Sequence, residues 1–103
     1  MKKCTFFRTI YDTKVRNAKA VKTNGFYENL TDKNGNEITL CFHKEAEKVW
    51  IVTEKSTGFR VCESDTRMKA LEEVKKKYLD LIFEKIQTAE KYKSIITRAY
   101  AEG

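Results

Sequence analysis

The hydrophobic period of this chain changes once, at Ser64 and Asp65, and that change constrains the fold more than any other feature. Before it, "EITLCFH" (residues 37–43) alternates: Ile38, Leu40 and Phe42 project to one side, and Thr39, Cys41 and His43 to the other. After it, Met68, Leu71, Val74, Tyr78 and Leu81 recur at three and four residues, followed by Ile82, Ile86, Ala89, Tyr92, Ile96 and Tyr100. The first pattern belongs to strands with two distinct faces. The second belongs to an amphipathic helix capped by Ser64 or Asp65.

The strand half reads as a meander. "CTFFRTIY" is aromatic and β-branched, and "RNAKAVKT" reads as an edge-like strand before a turn at Asn24-Gly25. "FYENLT" leads to "DKNGNE", where Asn34-Gly35 is a hairpin signal. "KVWIVTE" follows a polar turn at Lys44 to Glu47, and "GFRVCE" follows Ser56-Thr57-Gly58. A single helix over 65–101 would extend about 55 Å, against a radius of gyration of about 13 Å for a domain of this size. The helix is therefore expected to bend near Gln87 and Thr88, or else to protrude and pair with a partner. The expected fold class is α+β in one domain, 1–103, with an antiparallel β-meander of about five or six strands over 1–63. One or two C-terminal α-helices follow over 64–101.

Composition narrows the setting. The chain has no proline and four glycines, so no flexible linker divides it, and about a third of its residues are charged. "MKKCTFFRTIYD" opens like a secretory leader but Arg8 and Asp12 interrupt the apolar run, and no segment reaches transmembrane length. A cytoplasmic protein with no membrane partner is expected. The cysteine number is odd there, which reads better as buried small residues, reactive thiols or metal ligands than as a disulfide framework.

The net charge of +6 sits in one place. Residues 1–22 carry seven basic side chains against Asp12 alone, and from residue 23 onward fourteen basic and fourteen acidic residues cancel. Arg8, Lys14, Arg16, Lys19 and Lys22 are the candidate partner-binding residues, suited to nucleic acid or to an acidic protein patch. A solvated edge strand protected by lysines is the plainer reading of the same residues.

Cys41 and His43, two apart on a strand, share a face and can direct sulfur and imidazole to one point. With Cys4 in the first strand and Cys62 at the end of the last, the cysteines and the single histidine amount to one Cys3His set, a common closed structural zinc site. Zinc is the expected structural cofactor, provided three separate elements converge. The plainer alternative makes each cysteine a small buried apolar residue and His43 an exposed strand residue. No nucleophile elbow, second histidine or phosphate-binding glycine loop accompanies these residues, so a binding protein is expected in preference to an enzyme.

In size, basic balance and the four potential ligands Cys4, Cys41, His43 and Cys62, the whole chain resembles the small zinc-binding type II-A anti-CRISPR proteins of streptococcal phages. The resemblance implies that these four residues hold a structural zinc. It further implies that the partner is an RNA-guided type II DNA nuclease, bound at its recognition lobe so that target DNA loading is hindered. A small basic nucleic-acid-binding phage regulator is the alternative function.

Overall fold

The computed structural model describes residues 1–103 as one five-stranded antiparallel sheet followed by helices, with strand order β1-β2-β3-β4-β5. The strands are β1 (Lys2–Asp12), β2 (Asn17–Thr31), β3 (Glu37–Ala46), β4 (Val49–Glu54) and β5 (Arg60–Ser64). The helices are α1 (Arg67–Glu73), α2 (Leu79–Thr88) and α3 (Glu90–Glu102), and a π-helical turn, Val74–Tyr78, joins α1 to α2. The Cα radius of gyration is 13.2 Å, so the helical half has folded back on the sheet and does not protrude. No helix is long and apolar enough to cross a membrane.

The expected turn at Asn24-Gly25 is instead the middle of the 15-residue strand β2, which absorbs both segments read as separate strands. The reversal between β1 and β2 lies at residues 13–16, where Asp12 Oδ1 accepts the Lys14 N–H at 3.0 Å and Arg16 takes a left-handed φ of 51°. Gly25 has another task. A Cβ there would collide with the Phe42 carbonyl oxygen on β3 and lie 3.0 Å from Cε1 of Phe6 on β1. Pairing of β2 with β3 runs only from Thr31↔Glu37 to Phe26↔Phe42, while pairing with β1 continues through Gly25 to Asn17. The sheet therefore bends at Gly25, since a strand glycine permits the close backbone approach that a bend requires.

Strand β3 is buried on both sides because each sheet face carries its own core. On one face Ile38, Leu40, Phe42 and Val52 pack against Ala70, Leu71, Val74 and Ile82 of the helices. Burying a side chain of this size contributes about 1.5–3 kcal/mol. The apolar residues Val74, Tyr78, Ile82 and Ile86 recur every four residues, a spacing that drifts about 40° per step around a regular α-helix. The π turn, closed by the Leu79 N–H on the Val74 carbonyl, takes up that drift and returns the apolar stripe to the sheet.

One helix boundary differs from expectation and one agrees with it. Thr66, not Ser64 or Asp65, caps α1, its Oγ1 accepting the Lys69 N–H at 3.1 Å. The second break falls at Ala89, next to the expected Gln87 and Thr88, with φ −105° and ψ 41°. Helix α3 then crosses to β1 and β2, burying Ile96 and setting Tyr100 edge-on to Phe7 at 5.0 Å between ring centroids.

Candidate functional site

The second sheet face holds most of the residues singled out for their chemistry. Because the sheet bends at Gly25, side chains of β1 reach those of β3 across β2, and three pairs meet at a constant offset. Cys4 and Cys41 line one cavity, and each thiol shifts the titration of the other. Phe6 meets His43 at 5.9 Å between rings, and Arg8 Nη1 lies 3.8 Å from Glu45 Oε1. Alternation along β1 and β3 places all six on this face. Phe6 and Cys41 are completely buried, and His43 is 5% exposed.

Burial governs the titration of this face. It pushes the Cys4 thiol up, against the opposing influence of the Cys41 thiol and Lys55, and it pushes Cys41 well above the ordinary thiol range. His43 is held below its usual value by burial first and the Arg8 cation second, with Glu45 acting the other way. Neither ring nitrogen of His43 has a hydrogen-bond partner. A buried imidazole in this state is neutral, and its orphaned nitrogens carry a desolvation cost of about 1–3 kcal/mol.

The four expected zinc donors do not form one set. Register pairs Phe42 with Val52 and Val52 with Cys62, so Cys62 shares the helix-bearing face and packs against the cluster there. Cys41 pairs with Thr53 and His43 with Ile51, on the opposite face. The sheet itself separates Cys62 from the other three, and Phe6 fills the space before His43, so that no group of three or more Cys, His, Asp or Glu side chains is placed to hold an ion. Zinc–sulfur bonds of about 2.3 Å cannot span that separation. The residues present therefore do not fit the Cys3His zinc centre expected from the sequence. Cys62 has a different environment, pushed up to about 11 by burial and the Glu73 carboxylate.

Two buried carboxylates escaped the sequence reading because each closes its own turn. Glu54 accepts the Ser56 N–H at 2.8 Å, the Ser56 hydroxyl at 2.6 Å, the Thr57 N–H at 2.9 Å and the Thr57 hydroxyl at 2.8 Å. Asp32 accepts the N–H groups of Asn34 and Asn36, each at 2.9 Å, in the Asn34-Gly35 hairpin turn. "DKNGNE" carried the second signal, since an aspartate two residues before such a turn commonly caps it.

The basic segment becomes a hairpin. Lys14 and Arg16 stand exposed at its tip beside Val15 and Tyr11, which are 67% and 59% exposed. Lys19 is exposed but paired with Asp12 at 3.5 Å, and Arg8 is withdrawn to the inner face, where its Nε also donates to Thr23 at 2.9 Å. Lys22 projects on the side facing α3. There it lines, with Asn17, Lys91, Ser94 and Arg98, an open cleft of about 720 Å³. Lys91 and Arg98 add charge that the linear count over residues 1–22 missed. Of the five expected contact residues, the structure leaves Lys14 and Arg16 on the outside without a carboxylate partner, sets the exposed Lys22 against the Gly103 oxygen at 3.4 Å, and assigns Arg8 and Lys19 to ion pairs.

No family model matches the chain, and comparison with curated proteins and with solved structures finds no match either.

Proposed function

We propose that this protein is a small nucleic-acid-binding protein that contacts the phosphate backbone through the β1–β2 hairpin and the adjoining side of α3. One observation carries the reading: Lys14 and Arg16 stand exposed at the hairpin tip and Lys91 and Arg98 along one cleft, all four without a carboxylate partner, while Lys22 shares that cleft with its Nζ donating to the Gly103 oxygen at 3.4 Å. Unpaired cations release condensed counterions when they meet phosphates, which is the main source of sequence-independent affinity. The thiols support binding over catalysis, because burial raises Cys4 and Cys41 and so lowers the thiolate fraction. A cytoplasmic setting belongs to the same proposal.

The test is a fluorescence-anisotropy titration of labelled single-stranded and duplex oligonucleotides over a salt series. Affinity is expected to fall steeply with salt, and Lys14→Glu with Arg16→Glu in one chain should abolish it. Absent binding at low salt, or binding that ignores both salt and the charge reversal, would overturn the reading.

Exposure of Tyr11 and Val15 beside Arg16 favours a second reading, because aromatic and arginine side chains dominate protein contacts. Under it the hairpin tip docks on an RNA-guided type II DNA nuclease and hinders target DNA loading, as an anti-CRISPR inhibitor would. That reading no longer draws support from a zinc centre. A guide-loaded nuclease that co-elutes with the protein and loses target DNA binding would support it. Separate elution would remove it.

A further inference from the structure

We infer that Cys4 and Cys41 are an oxidisable dithiol, which closes to an intramolecular disulfide by exchange with a small disulfide such as glutathione disulfide. This goes beyond the binding reading and does not depend on it.

The geometry is that of side chains reaching from β1 to β3 across the Gly25 bend of β2. The thiol pair is one of three contacts at the same offset, and the two beside it are fixed by the Phe6–His43 ring contact and the Arg8–Glu45 ion pair. Cys4 and Cys41 also line one cavity of about 350 Å³ together with Tyr27, Asn29, Thr39 and Lys55. Access is unequal: Cys4 is partly exposed, whereas Cys41 has no exposed surface. An external disulfide therefore reaches Cys4 first. Cys62 stands across the sheet and takes no part.

The step balances without a further oxidant. Cys4 gives its proton to water, and its thiolate attacks one sulfur of glutathione disulfide. The S–S bond breaks, one glutathione leaves as a thiolate that takes up a proton, and Cys4 carries the other as a mixed disulfide. Cys41 then loses its proton, and its thiolate attacks the Cys4 sulfur and expels the second glutathione. Two protein thiols are oxidised and one glutathione disulfide is reduced to two thiols. Lys55 favours both thiolates, while burial opposes them, so the exchange is slow at neutral pH. Its rate is expected to rise about tenfold per pH unit while the attacking thiol remains mostly protonated.

The experiment incubates folded, reduced protein with glutathione disulfide, quenches by alkylation and maps the non-reduced peptides by mass spectrometry. A Cys4–Cys41 cross-linked peptide with Cys62 alkylated is the expected product. Cys62→Ala should close at the wild-type rate, and Cys41→Ala should hold glutathione on Cys4. Should Cys41→Ala fail to fold, the wild-type map decides alone. Persistent glutathione on Cys4 of the wild type, no oxidation of Cys4, or a linkage to Cys62 in folded protein would overturn the inference.

Discussion

Phe6 and His43 face one another at 5.9 Å across the place where Gly25 lacks a side chain. The contact exists because β2 bends there, and the bend exists because residue 25 has no Cβ. Gly25→Ala would set a methyl group against the Phe42 carbonyl oxygen, backbone that cannot yield cheaply. The expected destabilisation is about 3 kcal/mol, the upper range for overpacking a core. Urea unfolding measures it, and a loss below about 1 kcal/mol would show that the sheet does not bend at this residue.

His43 gives the fold a pH dependence. Its folded value lies below 6.5, the unfolded value, so between the two the unfolded chain binds more protons and stability drops as the solution is acidified. Stability from this group is complete above pH 6.5 and is lost as pH falls below it, by at most about 1.4 kcal/mol per pH unit. The lower, folded value ends the slope. His43→Phe should flatten the midpoint across this window, and a variant that keeps the wild-type slope would assign the dependence elsewhere.

The split of the cysteines across the sheet makes a prediction for zinc. In metal analysis of untagged protein after gel filtration, the metal content of Cys62→Ser should equal that of the wild type. One zinc per chain in the wild type, lost in both Cys62→Ser and His43→Ala, would require all four donors on one face and would contradict the strand register.

Capping can be tested at the start of α1. Thr66→Ala should cost about 1 kcal/mol, typical of a lost N-cap hydroxyl. Ser64→Ala and Asp65→Ala should cost clearly less in the same thermal melts. The reverse order would move the helix start back to where the sequence first suggested it.

For nucleic acid, Lys14→Ala, Arg16→Ala and Lys22→Ala should each lower the slope of log affinity against log salt by about one. Lys19→Ala should change it less, because Asp12 already holds that side chain. Equal effects from all four would mean that the Lys19–Asp12 pair opens on binding.

The features of the fold that depend on period were readable from the chain. Alternation in "EITLCFH" sorted β3 into its two faces, and the three-and-four spacing after Asp65 located the helical half. What escaped depends on backbone geometry. Asn24-Gly25 looks like a hairpin turn, yet glycine there serves a bend inside a strand, while the real reversal uses Thr13 to Arg16, none of them a typical turn former. The division of the four expected zinc donors between two faces was hidden for a similar reason. Which face Cys62 takes follows from its register against Val52, beside an irregularity in the β4–β5 pairing, and residue types do not encode a one-residue shift. Cys41 and His43 were correctly placed side by side. Their actual partners, Cys4 and Phe6, needed the curl of the sheet.

The contact between Phe7 and Tyr100 has a consequence in time. These residues are 93 positions apart, and the Tyr100 hydroxyl reaches the Phe7 N–H at 3.4 Å. With synthesis at about 5–20 residues per second, Phe7 waits roughly 5–19 s for the helix that covers it. Throughout that interval one face of the first hairpin is open to the cell. Nascent chains halted before Ile96 should accordingly be held by chaperones that recognise apolar strands, and full-length chains should be released.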